Sequence, residues 1–271
     1  MTTMQGRVLI VAGSDSGGGA GIQADIKTVT CLGGYAMTAV TALTAQNTQG
    51  VEGVQGVDPA FIKQQMRTVL DDIGADCIKT GMLHDDPTIE AVGEVLAEVP
   101  EIPVVVDPVM VAQSGAPLLD PESVRTINRL LMPRAQIITP NLPEAERLSG
   151  MEIRTKEDLD HAAQTLITLG VPAALVKGGH LQSDTAVDVL ATRSDIHVFE
   201  SPRIATRHTH GTGCTLASGI AVSLAQGHDL YGAVDRARAY LQAALRTAPG
   251  YGHGNGPLNH AVTVQDFQVD L

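Results

Sequence analysis

A cysteine ends a short glycine-rich turn near the carboxyl end of this chain of 271 residues. The turn reads Gly211-Thr212-Gly213-Cys214, and a run of apolar residues with helical character follows it. Unpaired backbone N–H groups and the positive end of the helix dipole make such a turn a binding site for anions. The same surroundings are expected to lower the pKa of the Cys214 thiol and to make it a base or nucleophile. The turn therefore predicts a phosphate bound beside a reactive thiol.

Other chemically active residues follow directly after predicted β-strands. Carboxylates, amides, a lysine and a methionine occupy seven such positions: Asp15, Gln46, Met82, Asp107, Asn141, Glu144 and Lys177. In an open parallel sheet the carboxyl ends of the strands share one edge, and ligands bind in the crevice along that edge. We therefore expect these side chains to converge on one site.

Three of these positions suggest a nucleotide and a metal ion. Asp107 follows three valines, and a carboxylate at this strand end is a candidate ligand of Mg²⁺. The alternative is that Asp107 only caps a helix or forms a turn. Asn141 and Glu144 form an N-x-x-E pattern that either holds a hydrated Mg²⁺ through water or simply caps a helix. Lys177 precedes two glycines and either reaches a phosphate as a point charge or is a solvated lysine at a strand end.

Two other kinds of site are disfavoured by the spacing of residues. His208, His210 and Cys214 lack a fourth ligand for a zinc site. The loop Ser14–Gly21 follows a strand and opens a helix, which is the layout of a ligand-binding loop or of a plain connection. The chain contains no G-K-[ST] sequence, and this excludes a Walker P-loop.

Strand-like and helix-like segments alternate along the chain, which predicts βαβ units and an α/β fold with a mostly parallel sheet. Predicted strands cover residues 7–12, 37–46, 77–81, 103–107, 136–139 and 173–177, with a hairpin of 186–191 and 196–201. Predicted helices cover residues 22–32, 58–73, 87–97, 121–131, 156–169, 215–226 and 231–247. Because no linker or repeat interrupts this pattern, a single domain over residues 1–271 is predicted.

The composition limits the classes of partner. The net charge of −12 argues against nucleic acid and anionic membranes. Three cysteines without CxxC spacing indicate reduced thiols, with Cys31 and Cys77 as core residues. No apolar run reaches membrane length, and the first five residues are too short for a signal peptide. We expect a cytoplasmic protein.

Several longer motifs together resemble one family. They are Ala12–Lys27 with its glycine loop, Thr41–Asn47, Lys79–Met82, Val106–Val109, Ile138–Ala145, Lys177–His180, Thr209–Thr215 and Gly252–Pro257. In this combination the chain closely resembles the hydroxymethylpyrimidine/phosphomethylpyrimidine kinases of thiamine biosynthesis, in the ribokinase-like superfamily. The likeness extends from the first strand nearly to the carboxyl terminus.

The resemblance implies a three-layer α/β/α domain with little or no separate lid, and two ATP-dependent steps. The hydroxymethyl group of 4-amino-5-hydroxymethyl-2-methylpyrimidine is phosphorylated first, and the monophosphate then becomes the diphosphate. Gln46 would read the pyrimidine edge, in a pocket lined by Gly13, Asp25, Met82 and Val109.

On the ATP–Mg²⁺ side the resemblance implies roles for Asn141, Glu144, Lys177 and Thr209, with Asp107 and Glu144 near the metal. The Gly211–Cys214 amides would hold the transferring phosphoryl group. Sugar kinases of the superfamily carry an aspartate as the base where this chain has Cys214, and the pyrimidine kinases share the cysteine. Cys214 is therefore a candidate base for the first step, whereas the second step starts from a phosphate anion.

Alternatives stay open at this point. A pyridoxal kinase also phosphorylates a hydroxymethyl group on a ring, either as the main or as a second activity. A pyrimidine sensor without catalysis is disfavoured by the presence of Cys214, Lys177 and the N-x-x-E pattern. The resemblance suggests a homodimer, with residues 34–57 as a candidate interface. The loops after Met82 and over Ala112–Pro117 are candidates to cover the pyrimidine.

Overall fold

A computed structural model describes residues 5–112, 115, 118–179 and 184–265. Four residues of the candidate covering loop Ala112–Pro117, and His180 of the lysine motif, lie outside the described residues. A nine-stranded sheet runs through the described part in the order β3-β2-β1-β4-β5-β6-β7-β8-β9. The strands from β2 through β1 and β4 to β7 pair in parallel, and β3, β8 and β9 pair antiparallel at the two edges.

The strands are short and largely buried in the middle of the sheet. They are β1 (Arg7–Asp15), β2 (Tyr35–Gln46), β3 (Val51–Gly56), β4 (Cys77–Thr80), β5 (Val104–Val106), β6 (Ile137–Ile138), β7 (Ala173–Lys177), β8 (Thr185–Thr192) and β9 (Ile196–Pro202). The hairpin β8–β9 was predicted, but β3 was not. The segment of β3 is exposed and contains two glycines, so it carries no alternation of apolar residues.

Within the described residues, eight α-helices connect or follow these strands. They are α1 (Gly21–Cys31), α2 (Pro59–Asp72), α3 (Asp86–Glu98), α4 (Val124–Thr126), α5 (Leu142–Ser149), α6 (Lys156–Thr168), α7 (Thr212–Ala225) and α8 (Leu230–Arg246). The continuous helix predicted over residues 121–131 is instead irregular, because α4 is one turn between 3₁₀ and π segments. No helix among these is long and apolar enough to cross a bilayer, within the part of the chain that is described.

The side chains of β1 show how the sheet separates two apolar layers. Leu9 and Val11 belong to one buried cluster together with residues of α2, α3, α5 and α6, whereas Val8, Ile10 and Ala12 belong to another with residues of α1, α7 and α8. This alternation is the period of two expected of a strand buried on both faces. The predicted three-layer α/β/α class with a mostly parallel sheet is therefore confirmed, while a single domain over the full 1–271 stays a prediction.

Candidate active site

A cavity of about 430 Å³ opens at the carboxyl edge of the parallel strands. All seven strand-end positions singled out in the sequence line it: Asp15, Gln46, Met82, Asp107, Asn141, Glu144 and Lys177. So do the other expected site residues Gly13, Val109, Thr209, Gly211, Thr212, Gly213 and Cys214. The sheet thus brings together residues that are up to 200 positions apart in the chain, as the topology of a parallel sheet predicts.

The glycine turn starts α7 without a side-chain cap. Gly211 is the N-cap residue, and it has a left-handed conformation with φ of 85°. A side chain at this position would overlap the carbonyl oxygen of Gly19, so the turn packs directly against the first glycine loop. The Thr212 amide already donates to the carbonyl of Thr209 at 3.3 Å, so the amides of Gly213 and Cys214 are the ones that an anion site in this turn would use.

The Cys214 thiol departs from the expectation based on the helix terminus. Burial raises its pKa to about 12, although Lys79 acts in the opposite direction. Asp25 and Asp107 add to the increase, because a thiolate near two carboxylates is repelled. The prediction of a lowered pKa was wrong for the ligand-free chain, since it considered only the helix dipole and neither the burial of the thiol nor the carboxylates that the fold brings close.

Lys177 and Asp107 form an ion pair at the cavity wall. The Nζ atom of Lys177 lies 3.2 Å from Oδ1 of Asp107, which also accepts a hydrogen bond of 3.0 Å from the Thr139 hydroxyl. Burial alone lowers the pKa of Lys177, but Asp107 and Glu144 outweigh it and raise the pKa, so the lysine stays charged. Oδ2 of Asp107 faces Gly213 in the anion turn, because a Cβ placed there would lie 3.6 Å from it.

Asn141 and Glu144 form the capping box that was the alternative to a metal-binding role. The Asn141 side chain accepts from the amide of Glu144 at 3.0 Å, and the Glu144 carboxylate accepts from the amide of Asn141 at 2.8 Å. The other Glu144 oxygen lies 3.4 Å from the Met110 amide. Burial raises the pKa of Glu144 to about 7. Lys177 opposes this increase, whereas Asp107 adds to it. Each carboxylate oxygen thus accepts one backbone hydrogen bond and keeps a lone pair, so the capping role does not exclude contact with a cation, directly or through water.

Asp25 was expected in the pyrimidine pocket, but it does not line the cavity. It is fully buried below it, where both of its oxygens accept from Lys79 Nζ at 3.0 and 2.9 Å and one accepts from the Ser218 hydroxyl at 2.7 Å. Burial by itself lowers the pKa of Lys79, but the Asp25 carboxylate outweighs it and raises the pKa. The fold leaves Lys79, to which the sequence analysis gave no role, as the member of the pair that lines the cavity.

The expected pyrimidine side of the cavity lies near β1 and β2. Gly13 leaves room for Met82, whose sulfur would lie 3.0 Å from a Cβ at position 13. Gln46 lies at the end of β2, with its Oε1 placed 3.1 Å from the Thr44 hydroxyl and its Nε2 placed 3.5 Å from Nε2 of His210. An apolar wall beside a fixed amide suits a flat ring with a polar edge.

His210 holds the anion turn to the first glycine loop. Its Nε2 lies 2.8 Å from Oδ2 of Asp15, and its backbone amide donates to the carbonyl of Gly256 at 3.2 Å. Asp15 also accepts from the amides of Gly17, Gly19 and Ala20. The sequence analysis considered His210 only as a zinc ligand. No group of three or more His, Cys, Asp or Glu suited to a metal ion occurs in the described ranges.

An anion-binding helix terminus that faces a lysine and two carboxylates is the arrangement of a phosphoryl-transfer enzyme. Comparison with known proteins agrees with this class. The family model described as phosphomethylpyrimidine kinase matches residues 15–259. The chain therefore belongs to the phosphomethylpyrimidine kinase family, and the resemblance seen in the sequence motifs is confirmed.

Two curated relatives are similar over nearly the whole chain. A thiamine biosynthesis bifunctional protein of Geobacter sulfurreducens is 52% identical over 97% of this chain, which spans 54% of that protein's length. A hydroxymethylpyrimidine/phosphomethylpyrimidine kinase of Streptomyces coelicolor is 46% identical over 93% of both chains.

Two solved structures share the fold. The ADP complex of a Bacillus subtilis pyridoxal kinase has a TM-score of 0.89 and 38% identity, and it covers 95% of this chain and 98% of its own. A phosphomethylpyrimidine kinase of Clostridium difficile has a TM-score of 0.79 and 39% identity, over 88% of this chain and 99% of its own. Three of these four relatives are named as kinases, two of phosphomethylpyrimidine and one of pyridoxal.

Proposed function

We propose that this chain is an ATP-dependent kinase that acts twice in thiamine biosynthesis. It phosphorylates the hydroxymethyl group of 4-amino-5-hydroxymethyl-2-methylpyrimidine and then converts the monophosphate to the diphosphate. The observation that carries this proposal is the family match over residues 15–259, which encloses every proposed site residue except those at the first strand. Curated relatives named for both phosphorylation steps support it.

The anion turn and Lys177 serve the transferring phosphoryl group. The amides of Gly211–Cys214 supply fixed donors, and the Lys177 ammonium adds a charge at the same wall of the cavity. Donors that are already oriented stabilise developing negative charge without reorganisation. Thr209, Asn141 and Glu144 lie along the wall where the rest of the nucleotide is held.

The residues present fit a Mg²⁺ ion that enters with the nucleotide. Oδ2 of Asp107 faces the anion turn, and Glu144, whose oxygens each accept one backbone amide and keep a lone pair, would contribute through water. Mg²⁺ is commonly bound by one or two carboxylates together with substrate phosphates and water. The ion would supply charge neutralisation for the phosphates.

Cys214 acts as the base for the alcohol in the first step. Only the thiolate can accept the proton of the hydroxymethyl group, whereas burial raises the pKa of the thiol to about 12 in the ligand-free chain. The base role therefore requires that Cys214 loses its proton when the nucleotide and Mg²⁺ are bound, and the helix terminus would then stabilise the thiolate. The second step needs no base, because the nucleophile is a phosphate whose second pKa is about 6. Positioning and charge neutralisation suffice there.

Gln46 forms hydrogen bonds with the polar edge of the pyrimidine ring. Gly13, Met82 and Val109 line the pocket around the ring. The alternative substrate is pyridoxal, either alone or as a second activity. The observation in its favour is the likeness to the Bacillus subtilis pyridoxal kinase, whose TM-score of 0.89 exceeds that of the phosphomethylpyrimidine kinase structure.

A steady-state assay tests this function. The full chain with ATP and Mg²⁺ is given hydroxymethylpyrimidine, its monophosphate or pyridoxal, and ADP formation is measured for each. We expect turnover of the first two substrates. Turnover of pyridoxal alone would replace the main proposal with the alternative.

A homodimer and a cytoplasmic location complete the proposal. Exposed apolar side chains on and beside the β2–β3 edge, Tyr35, Leu43 and Val54, support an interface there. Light scattering of the purified chain measures the mass in solution, and a monomer at micromolar concentration would contradict the dimer.

A further inference from the structure

The amide of Gln46 lies between two side chains whose own hydrogen bonds are already determined. One neighbour is the Thr44 hydroxyl at 3.1 Å, and the other is Nε2 of His210 at 3.5 Å. The oxygen and the nitrogen of a glutamine amide have nearly the same size, so only the partners reveal which is which. The orientation of this amide decides what order of donor and acceptor the cavity offers to a ring.

The His210 side requires the amide oxygen. The Asp15 carboxylate accepts from the amides of Gly17, Gly19 and Ala20 and lies 2.8 Å from His210 Nε2. Burial alone would raise the pKa of Asp15, but the hydrogen bonds from His210 and the backbone hold that pKa below its usual value. An ionised carboxylate can only accept, so His210 Nε2 carries a hydrogen, which it donates to Asp15. The amide nitrogen of Gln46, placed 3.5 Å from this N–H, would set one donor against another, so the amide oxygen is the atom that fits this side.

The Thr44 side requires the amide nitrogen. The single hydroxyl hydrogen of Thr44 is directed to the carbonyl oxygen of Ser14 at 2.9 Å, and a carbonyl can only accept. Oγ1 of Thr44 therefore accepts from Gln46. An amide with its oxygen toward Thr44 meets neither requirement, whereas the exchanged orientation meets both.

The acceptor and the donor of the Gln46 amide then lie on different sides of the cavity. The oxygen of Gln46 lies on the side of the anion turn, because His210 directly precedes Gly211. The nitrogen lies on the side of Thr44, which shares a face of β2 with Gln46 two residues away. One lone pair and one N–H remain for a ligand, with the acceptor nearer the transferred phosphoryl group.

We propose that Thr44 and His210 are positioning residues that fix the Gln46 amide and so select the ring by its hydrogen-bond order. This inference rests on the proposed function. The selected edge has an amino donor next to the carbon that bears the hydroxymethyl group, and a ring nitrogen acceptor beyond it. A 4-aminopyrimidine has this order, whereas the neighbouring oxygens of pyridoxal are an aldehyde and a phenolate, which both accept.

Equilibrium binding to the full chain, measured by calorimetry without nucleotide, tests the proposal. The two probes are hydroxymethylpyrimidine and its 4-oxo analogue, whose carbonyl acceptor and ring N–H donor reverse the order. The unaltered chain should bind the analogue about 10- to 100-fold more weakly, because buried polar groups would be left unpaired. Thr44→Val frees the amide to turn and should reduce this ratio to less than about threefold.

Two control variants separate the hydroxyl from the packing. Thr44→Ser keeps the hydroxyl and should keep the ratio of the unaltered chain. Thr38→Val makes the same change on β2 outside the cavity lining and should also keep it.

Equal binding of the two probes to the unaltered chain would overturn the proposal, and this measurement needs no variant to fold. A Thr44→Val variant that keeps the full ratio would overturn it as well. Absence of any binding of hydroxymethylpyrimidine would instead contradict the proposed function. The last result is distinguishable from the first two because it removes binding and not only selectivity.

Discussion

Two lysine–carboxylate pairs lie at the carboxyl edge of the sheet, and they differ in how completely their hydrogen bonds are satisfied. Lys79 and Asp25 are both fully buried, with two contacts of 2.9 and 3.0 Å and a third bond from Ser218. Lys177 contacts a single oxygen of Asp107 at 3.2 Å, and its side chain keeps 14% of its surface exposed to the cavity.

The difference separates a structural role from a chemical one. The Asp25 carboxylate has its acceptors used within the protein, so the pair cannot rearrange around a substrate without a large cost. The Asp107–Lys177 pair has spare acceptors and donors at the cavity surface, where a nucleotide and a metal ion compete for them. The same two residue types therefore stabilise one part of the fold and serve chemistry in another.

Breaking the buried pair has the largest expected effect. Lys79→Met leaves the Asp25 carboxylate without its counter-ion and should lower the free energy of unfolding by about 3–5 kcal/mol. Urea denaturation measures it. The double variant Lys79→Met, Asp25→Asn should recover most of the loss, and a loss of less than about 1 kcal/mol in the single variant would show that the pair is dispensable.

The pKa of Cys214 responds to both pairs: burial raises it most, Lys79 opposes the increase, and Asp25 and Asp107 add to it. Cys214→Ala should reduce kcat for hydroxymethylpyrimidine about 10³-fold, within the range for loss of a general base. Turnover of the monophosphate should fall much less, because its nucleophile is already an anion. Single-turnover assays on each substrate measure the two steps, and equal losses would remove the base role.

Breaking the cavity-facing pair should affect catalysis more than stability. Lys177→Met should reduce kcat about 100-fold for both steps, because the same lysine charge stabilises the transferring phosphoryl group in each step. Its unfolding free energy should change less than that of Lys79→Met. Steady-state kinetics and denaturation of the same preparation measure this contrast, and a stability loss as large as that of Lys79→Met would eliminate the distinction between the pairs.

The smallest expected effect is the contribution of Glu144 to the pH dependence of the free energy of unfolding. Its pKa is raised from 4.5 to about 7, so the folded chain binds more protons than the unfolded chain between these values. Stability from this group is therefore present at low pH and is lost as pH rises from about 5 to 7. Relative to Glu144→Gln, the unaltered chain should lose about 1–2 kcal/mol over that interval.

Glutamine is a suitable replacement because it can keep the capping bond to the amide of Asn141. Chemical denaturation at several pH values measures the slope of each chain. Identical slopes for the two chains would show that Glu144 is ionised in the fold throughout this range.

Local patterns predicted the elements that carry their own signals. Helix α2 has Asp58 as its N-cap and Pro59 in its first turn, and it was predicted to within one residue. The strand ends were identified because short apolar runs are followed by polar residues. Strand β3 was missed, because an exposed edge strand is stabilised by pairing with β2 and not by a pattern of its own.

Pairings between distant residues were beyond the reach of sequence spacing. Asp25 and Lys79 are 54 positions apart, and Asp15 and His210 are 195 apart. The motifs contained all four residues but did not show which of them pair with each other. An unexplained lysine within the Lys79–Met82 motif was the one signal that could have indicated the buried pair.

The glycine turn Gly211–Cys214, the strand-end positions and the α/β alternation were determined by the sequence itself, because each depends on residues close together in the chain. The tertiary structure decided how these groups behave. It enclosed Asp25, bonded both oxygens of Glu144 to backbone amides, and raised the pKa of Cys214 by burying the thiol and by bringing two carboxylates near it. Burial and through-space charge depend on which distant residues meet, and the fold alone determines that.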